Sequence, residues 1–143
     1  MNKKLLCATD GSHSADKAVD YAIALAAQTG AHLTFLTVNH VTSADLSRSA
    51  FWDSTVLSVA EAQLRSELQA VAAKAQAAGL KDADCATADG HNIAAAIISF
   101  AEKNGYDHVI TGSVGRTGVA RMLLGSIAQD VIVKAHCPVT VVR

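Results

Sequence analysis

The sequence predicts an α/β fold: a single doubly wound five-stranded parallel sheet, order 3-2-1-4-5, with helices on both faces. Three observations carry this. Five short apolar runs recur along the chain, stretches with helical periodicity separate them, and glycines or Asn-Gly and Asp-Gly pairs punctuate the boundaries. Strands alternating with helices of ten or more residues indicate βαβ units, and right-handed crossovers then restrict the order. The 143 residues are expected to form one domain spanning 1–143. A chain of this size removes roughly 68–70% of its unfolded surface from water, enough for an independent core.

Residues 5–9 form an apolar run that ends at Asp10-Gly11-Ser12 and reads as strand 1. Ala15, Ala18, Val19, Ala22, Ile23 and Ala26 follow at steps of three and four, an amphipathic helix with Ser14 as its N-cap and Gly30 as its stop. Residues 33–38 give strand 2. The polar stretch 40–54 is expected to be an irregular loop, and loops this long tend to carry function. A long helix over 55–78 sets Val56, Ala60, Leu64, Leu68, Val71 and Ala75 on one stripe and stops at Gly79. Residues 83–87 form a weaker strand 3 before the Asp89-Gly90 turn. Helix 93–103 turns Ile93, Ala96, Ile97, Phe100 and Ala101 inward and closes at Asn104-Gly105. Strand 4 covers 108–111, a helix opens at Ser126 and runs through about 135, and 139–142 is strand 5.

Composition excludes several functions. Twelve Lys and Arg against thirteen Asp and Glu leave a net charge of −1, so no long-range field draws DNA, RNA or an anionic bilayer. Only 4% of residues are aromatic, too few for a base-stacking surface. The first apolar run breaks after five residues at Asp10, too short for an export signal or a membrane span. Cys7, Cys85 and Cys137 form no CxxC pair and are odd in number, which points to a reducing cytoplasm and to small core residues.

The segment Gly112-Ser-Val-Gly115-Arg-Thr-Gly118 through Gly125-Ser126 lies between a strand and a helix. Glycine can take positive φ and lets backbone N–H groups converge on an anion, and a helix N-terminus adds unpaired N–H groups and positive potential. The topology places this segment and Asp10 together, because ligands of open α/β sheets bind beyond the carboxyl ends of the strands at the switch point, here between strands 1 and 4. A plain linker for the glycine segment, and an N-cap or Asx turn for Asp10, are the structural alternatives.

Gly112, Gly115, Gly125 and Ser126 fall at the spacing G-x2-G-x9-G-[ST]. Together with Ala8-Thr9-Asp10-Gly11-Ser12, Gly30-Ala31-His32-Leu33, Asp89-Gly90 and Cys137-Pro138-Val139, they make the whole chain resemble the universal stress protein family, in its nucleotide-binding branch. The resemblance implies an ATP site made by Thr9, Asp10, Val38, Gly112, Gly115, Arg116, Gly125, Ser126 and Ile127. Asp10 would take the ribose hydroxyls or help hold a Mg²⁺ or Mn²⁺ ion carried by the phosphates. Val38 would offer backbone groups to the adenine edge, Gly112 and Gly115 would permit close approach, and Gly125 and Ser126 would supply N–H groups and a hydroxyl. Arg116, with Arg121 second, is the nearest fixed positive charge. Val114 departs from relatives that carry a polar residue or histidine there, which removes a side-chain contact and leaves the backbone cradle.

The six histidines show no HxH or HExxH spacing, although His13, His40 and His91 each follow a strand's carboxyl end and should share a rim. Phe51 and Trp52 are expected to pin the long loop to the sheet or to cap the site. Strand 5 would lie at a sheet edge, and either pairing of 138–143 with its own copy covers it, in line with the homodimers of the family, or Pro138 and Arg143 blunt it in a monomer. The resulting expectation is a cytoplasmic, homodimeric, ATP-binding stress-response protein whose occupancy alters residues 40–54 and 116–124 and so the surface offered to a regulatory partner. The alternatives are a slow ATP hydrolase or nucleotidyl transferase, for which the GxxxxGK[ST] lysine is absent, and an interaction module of the same fold without nucleotide.

Overall fold

The computed structural model describes residues 3–10, 13–39, 54–114 and 124–143, and the side chains of residues 13, 14 and 54–60 lie outside that description. The elements follow as β1 (Lys4–Ala8), α1 (His13–Thr29), β2 (His32–Asn39), α2 (Ser54–Ala77), β3 (Asp84–Asp89), α3 (Ile93–Lys103), β4 (His108–Gly112), α4 (Ser126–Lys134) and β5 (Val139–Val142). The five strands pair in parallel in the order β3-β2-β1-β4-β5, as the alternation of elements predicts.

Strand alternation divides the core between the two faces. Leu5, Cys7, Leu33, Phe35 and Ile110 point to one face and pack against Val19, Ala22 and Ala26 of α1 and Leu68, Val71 and Ala75 of α2. Leu6, Ala8, Leu36, Val38 and Val109 point to the other and meet Ala94, Ile97 and Ala101 of α3 and Val131 of α4. The inner strands are covered on both sides, which is why they read as unbroken apolar runs. Each fully buried Leu, Ile, Val or Phe contributes about 1.5–3 kcal/mol. Alanines on the inner faces of α1 and α3 let the helix axes come close to the sheet.

The helix stops behave as their residues dictate. Gly30, Gly79 and Gly105 take φ of 71°, 88° and 69°, a left-handed region that costs a side-chain-bearing residue free energy. Beyond two of them the chain bonds back to the helix, Leu80 N–H to Ala75 C=O at 3.0 Å and Tyr106 N–H to Ala101 C=O at 2.9 Å. The Asn92 side chain caps α3 by accepting from Ala95 N–H at 2.9 Å.

The amino ends of the strands are closed by polar contacts. The Asp107 carboxylate accepts from the Lys3 and Lys4 amides at 3.0–3.3 Å, and the Lys4 ammonium sits 4.6 Å from the centre of the Tyr106 ring. Tyr106 OH donates to Thr34 Oγ1 at 2.8 Å, and His32, His108 and His136 bond to Asp84, Thr140 and the Tyr106 carbonyl.

Three expectations need correction. Ser14 is not the cap of α1, because the helix already includes His13 and Ser14 stands within its first turn. β3 runs on to Asp89 instead of ending at 87, since the eight-residue β2 offers ladder partners as far as the pair Asn39 and Asp89. Cys85 is exposed, not a core residue, because β3 is the other edge of the sheet and Cys85 lies on its open strand. α4 opens at Ser126, as expected, with Gly125 as its N-cap and no side-chain cap bond. Phe51, Trp52 and His40 lie outside the described residues.

Candidate functional site

Beyond the carboxyl ends of β1, β2 and β4 lies a cavity of about 500 Å³. Its walls take in Thr9 and Asp10 after β1, Val38 and Asn39 at the end of β2, Gly112 and Ser113 after β4, and Gly125, Ser126 and Ile127 at the start of α4. Seven residues that the sequence nominates, Thr9, Asp10, Val38, Gly112, Gly125, Ser126 and Ile127, therefore share one space. The other two, Gly115 and Arg116, lie outside the described residues, as do Gly118 and Arg121. The volume falls in the range of small-molecule pockets, roughly 300–1,000 Å³.

The β2 wall is set by where the ladder to β1 ends. Thr9 N–H donates to Leu36 C=O at 2.9 Å, so Leu36 faces β1. Asn39 C=O accepts from Gly90 N–H at 3.1 Å, so Asn39 faces β3. In a strand these directions alternate, and the Val38 N–H and C=O consequently point to the β1 side, past the last residue of β1. They present a donor and an acceptor in the plane of the sheet. The side chains of Leu36, Val38, Ile93 and Ile97 provide an apolar surface beside them.

The opposite wall is the start of α4. Its first bond within the helix runs from Gln129 N–H to Gly125 C=O at 3.0 Å, so the N–H groups of Ser126, Ile127 and Ala128 have no acceptor inside the helix. All three residues line the cavity. Gly125 differs from expectation: its N–H donates to Ser113 C=O at 2.7 Å and is already engaged. Its φ of −62° and ψ of 154° are open to any residue, so positive φ is not the reason for glycine here. Gly112, in β4, is likewise absent from the positive-φ glycines among the described residues. The close approach that the resemblance implies at these two positions would therefore rest on the missing side chain and not on φ.

Among the described residues no three His, Cys, Asp or Glu side chains gather into a metal site. One carboxylate, Asp10, with the hydroxyls of Ser113 and Ser126 on the same cavity, suits a divalent ion that takes most of its ligands from phosphate and water. His91 reaches the rim as expected, in a shallower hollow that also includes Asn92, Asp130, Ser126 and Ile127. The His13 side chain is outside the description, and His32, His108 and His136 belong to the opposite end of the sheet.

Asn39, Ser113, Thr37 and Gln63 also line the cavity and were not singled out in the sequence. Asn39 and Ser113 directly follow nominated residues, and adjacency could have found them. Gln63 sits on α2, far along the chain, and only the docking of that helix brings it to the site.

An all-parallel doubly wound sheet with an open crevice at the switch point between β1 and β4 defines a class of α/β domain. Within it the chain belongs to the universal stress protein family, whose pattern matches residues 1–143. The universal stress protein YxiE of Bacillus subtilis is 31% identical over 150 aligned positions covering all of both chains. A 47-residue stretch is 53% identical to universal stress protein MJ0531 of Methanocaldococcus jannaschii, covering 33% of this chain and 28% of that protein. Among solved structures, the hypothetical protein MJ0577 superposes with a TM-score of 0.82 at 25% identity over 99% of this chain and 96% of its own. A universal stress protein in complex with cAMP superposes with a TM-score of 0.75 at 25% identity, over 99% and 97%.

Proposed function

We propose that this chain is a nucleotide-binding member of its family that holds ATP in the crevice and changes the surface offered to a partner according to occupancy. The observation that carries the reading is the meeting of two walls of opposite character around one cavity. One presents the Val38 backbone beside apolar side chains, fit for a base, and the other presents three N–H groups at the start of α4 that have no acceptor inside the helix, fit for phosphates. Asp10, after the intervening strand β1, stands between them for ribose hydroxyls or a phosphate-bound Mg²⁺ or Mn²⁺. The cAMP complex of a 25% identical relative supports the nucleotide class. The spacing of Gly112, Gly115, Gly125 and Ser126 supports the ATP-binding branch.

The same reading makes the protein a cytoplasmic homodimer, with residues 138–143 as the proposed contact because, among the described residues, β5 is an edge strand with half-buried Val139 to Val142. No helix among the described residues is long and apolar enough to cross a membrane.

The test is direct. Protein purified without added nucleotide is denatured and the supernatant analysed, then ATP binding and phosphate release are measured with magnesium or manganese. Bound ATP that survives prolonged incubation is the expected result. No bound nucleotide and no ATP affinity would overturn the reading, and rapid phosphate release would replace the holder of ATP with a hydrolase.

A further inference from the structure

Thr37 lies at the end of β2 with only 2% of its surface exposed, and it lines the cavity. Its Oγ1 is buried and has no hydrogen-bond partner among the described residues. This differs from the buried Thr34 hydroxyl on the same strand, which accepts from Tyr106 OH at 2.8 Å. A hydroxyl removed from water without a partner costs free energy, and such groups are rare in folded proteins unless something else completes them.

The place of Thr37 says what that partner is. Its side chain points to the face opposite Leu36 and Val38, the face of α1 and α2, where Ala15, Gln63 and Leu64 also line the cavity. β2 and β4 flank β1, so two strand spacings, about 10 Å in all, separate Thr37 from the β4 side of the crevice. On the nucleotide reading, a ligand with its phosphates at Ser126, beyond β4, would extend its nucleoside toward β2. The staggered positions of a threonine lie about 120° apart, so one turn about χ1 redirects the hydroxyl without moving the strand.

We propose that Thr37 is a specificity-determining residue whose Oγ1 hydrogen-bonds the nucleoside portion of the ligand, adding a side-chain contact beside the Val38 backbone. The proposal rests on the nucleotide reading of the cavity. Empty, the site carries an unsatisfied hydroxyl, and binding completes it. Loss of the hydroxyl therefore acts in opposite directions on the free and the bound protein.

The experiment compares the full chain with Thr37→Val, which keeps shape and removes the hydroxyl, and Thr37→Ser, which keeps it. Calorimetric affinity is measured for ATP and for adenosine, and melting is followed without ligand. Expected for Thr37→Val are an unchanged or raised melting temperature without ligand and a loss of about tenfold in affinity for both compounds. Thr37→Ser restores most of that affinity. Three results overturn the assignment alone while the parent binds both compounds: equal binding by Thr37→Val, a loss for ATP with none for adenosine, or a ligand-free melting temperature lowered by several degrees. A parent that binds neither compound overturns the nucleotide reading and this assignment with it.

Discussion

The Gly125 amide donates to the Ser113 carbonyl at 2.7 Å, joining the end of β4 to the start of α4 across twelve positions of sequence. Ser113 N–H in turn donates to Val142 C=O at 2.9 Å, which anchors this junction to the edge strand β5. The N-terminus of α4 is thus tied to the sheet, and its N–H groups are oriented before any ligand arrives. A preformed donor set of this kind binds an anion with little ordering cost.

Ser126→Pro removes one of those N–H groups without disturbing the helix. Proline suits the first helical position, and Gly125, at φ −62° and ψ 154°, already has the extended conformation required before it. The variant should melt within a few degrees of the parent and lose about tenfold or more in ATP affinity, the scale of a hydrogen bond to a charged group. Ser126→Ala, which keeps the amide, should lose less. Equal affinities in calorimetry for Ser126→Pro and the parent would remove α4 from the phosphate site.

Gly125→Val should fold, because the backbone there is open to any residue and the amide bond to Ser113 is retained. The branched side chain at the cavity wall should abolish measurable ATP binding. Circular dichroism and calorimetry on the same sample separate the two effects, and normal binding contradicts the role of Gly125 in close approach.

Tyr106→Phe leaves the buried Thr34 hydroxyl without its donor and should destabilise the fold by about 1–2 kcal/mol. The double variant Thr34→Val with Tyr106→Phe removes both partners and should recover most of the loss. Denaturant unfolding checks the energies. ATP affinity should stay at the parent value in both, since Tyr106 lies at the amino end of the strands.

Burial holds the His108 imidazole below its ordinary range, with the Asp107 carboxylate opposing in part. The unfolded chain then binds more protons than the folded one as pH falls below about 6.5, so this group's effect is loss of stability toward acid and none above that range. The fall in melting temperature between pH 7.5 and 5.5 should be smaller in His108→Gln than in the parent. Equal falls would show that His108 protonates freely in the fold.

Burial pushes the Cys7 thiol up to about 12, while Cys85 is exposed with a thiol raised more modestly by partial burial and by Asp84. Alkylation at pH 8 followed by mass spectrometry should modify Cys85 and spare Cys7 until the protein is unfolded. Labelling of native Cys7 would mean that β1 opens far more readily than a central strand should.

The order of elements was legible along the chain because it depends on local periodicity and on residues with fixed backbone preferences. Apolar runs, alanine-rich stripes and the stops at Gly30, Gly79 and Gly105 specify which segments are strands or helices, and strand-helix alternation with right-handed crossovers does the rest. Asp10 and the segment from Gly112 to Ser126 could be nominated for the same reason, since each stands where a strand ends or a helix begins, whereas Val38 was nominated by the family resemblance. Tertiary structure alone decided which groups are free there. Pairing to Ser113 engages the Gly125 amide, the end of β1 turns the Val38 backbone toward the cavity, and packing of α1 and α2 buries the Thr37 hydroxyl without a partner among the described residues. Whether a hydrogen-bonding group is satisfied depends on neighbours distant in sequence, and no local pattern records it.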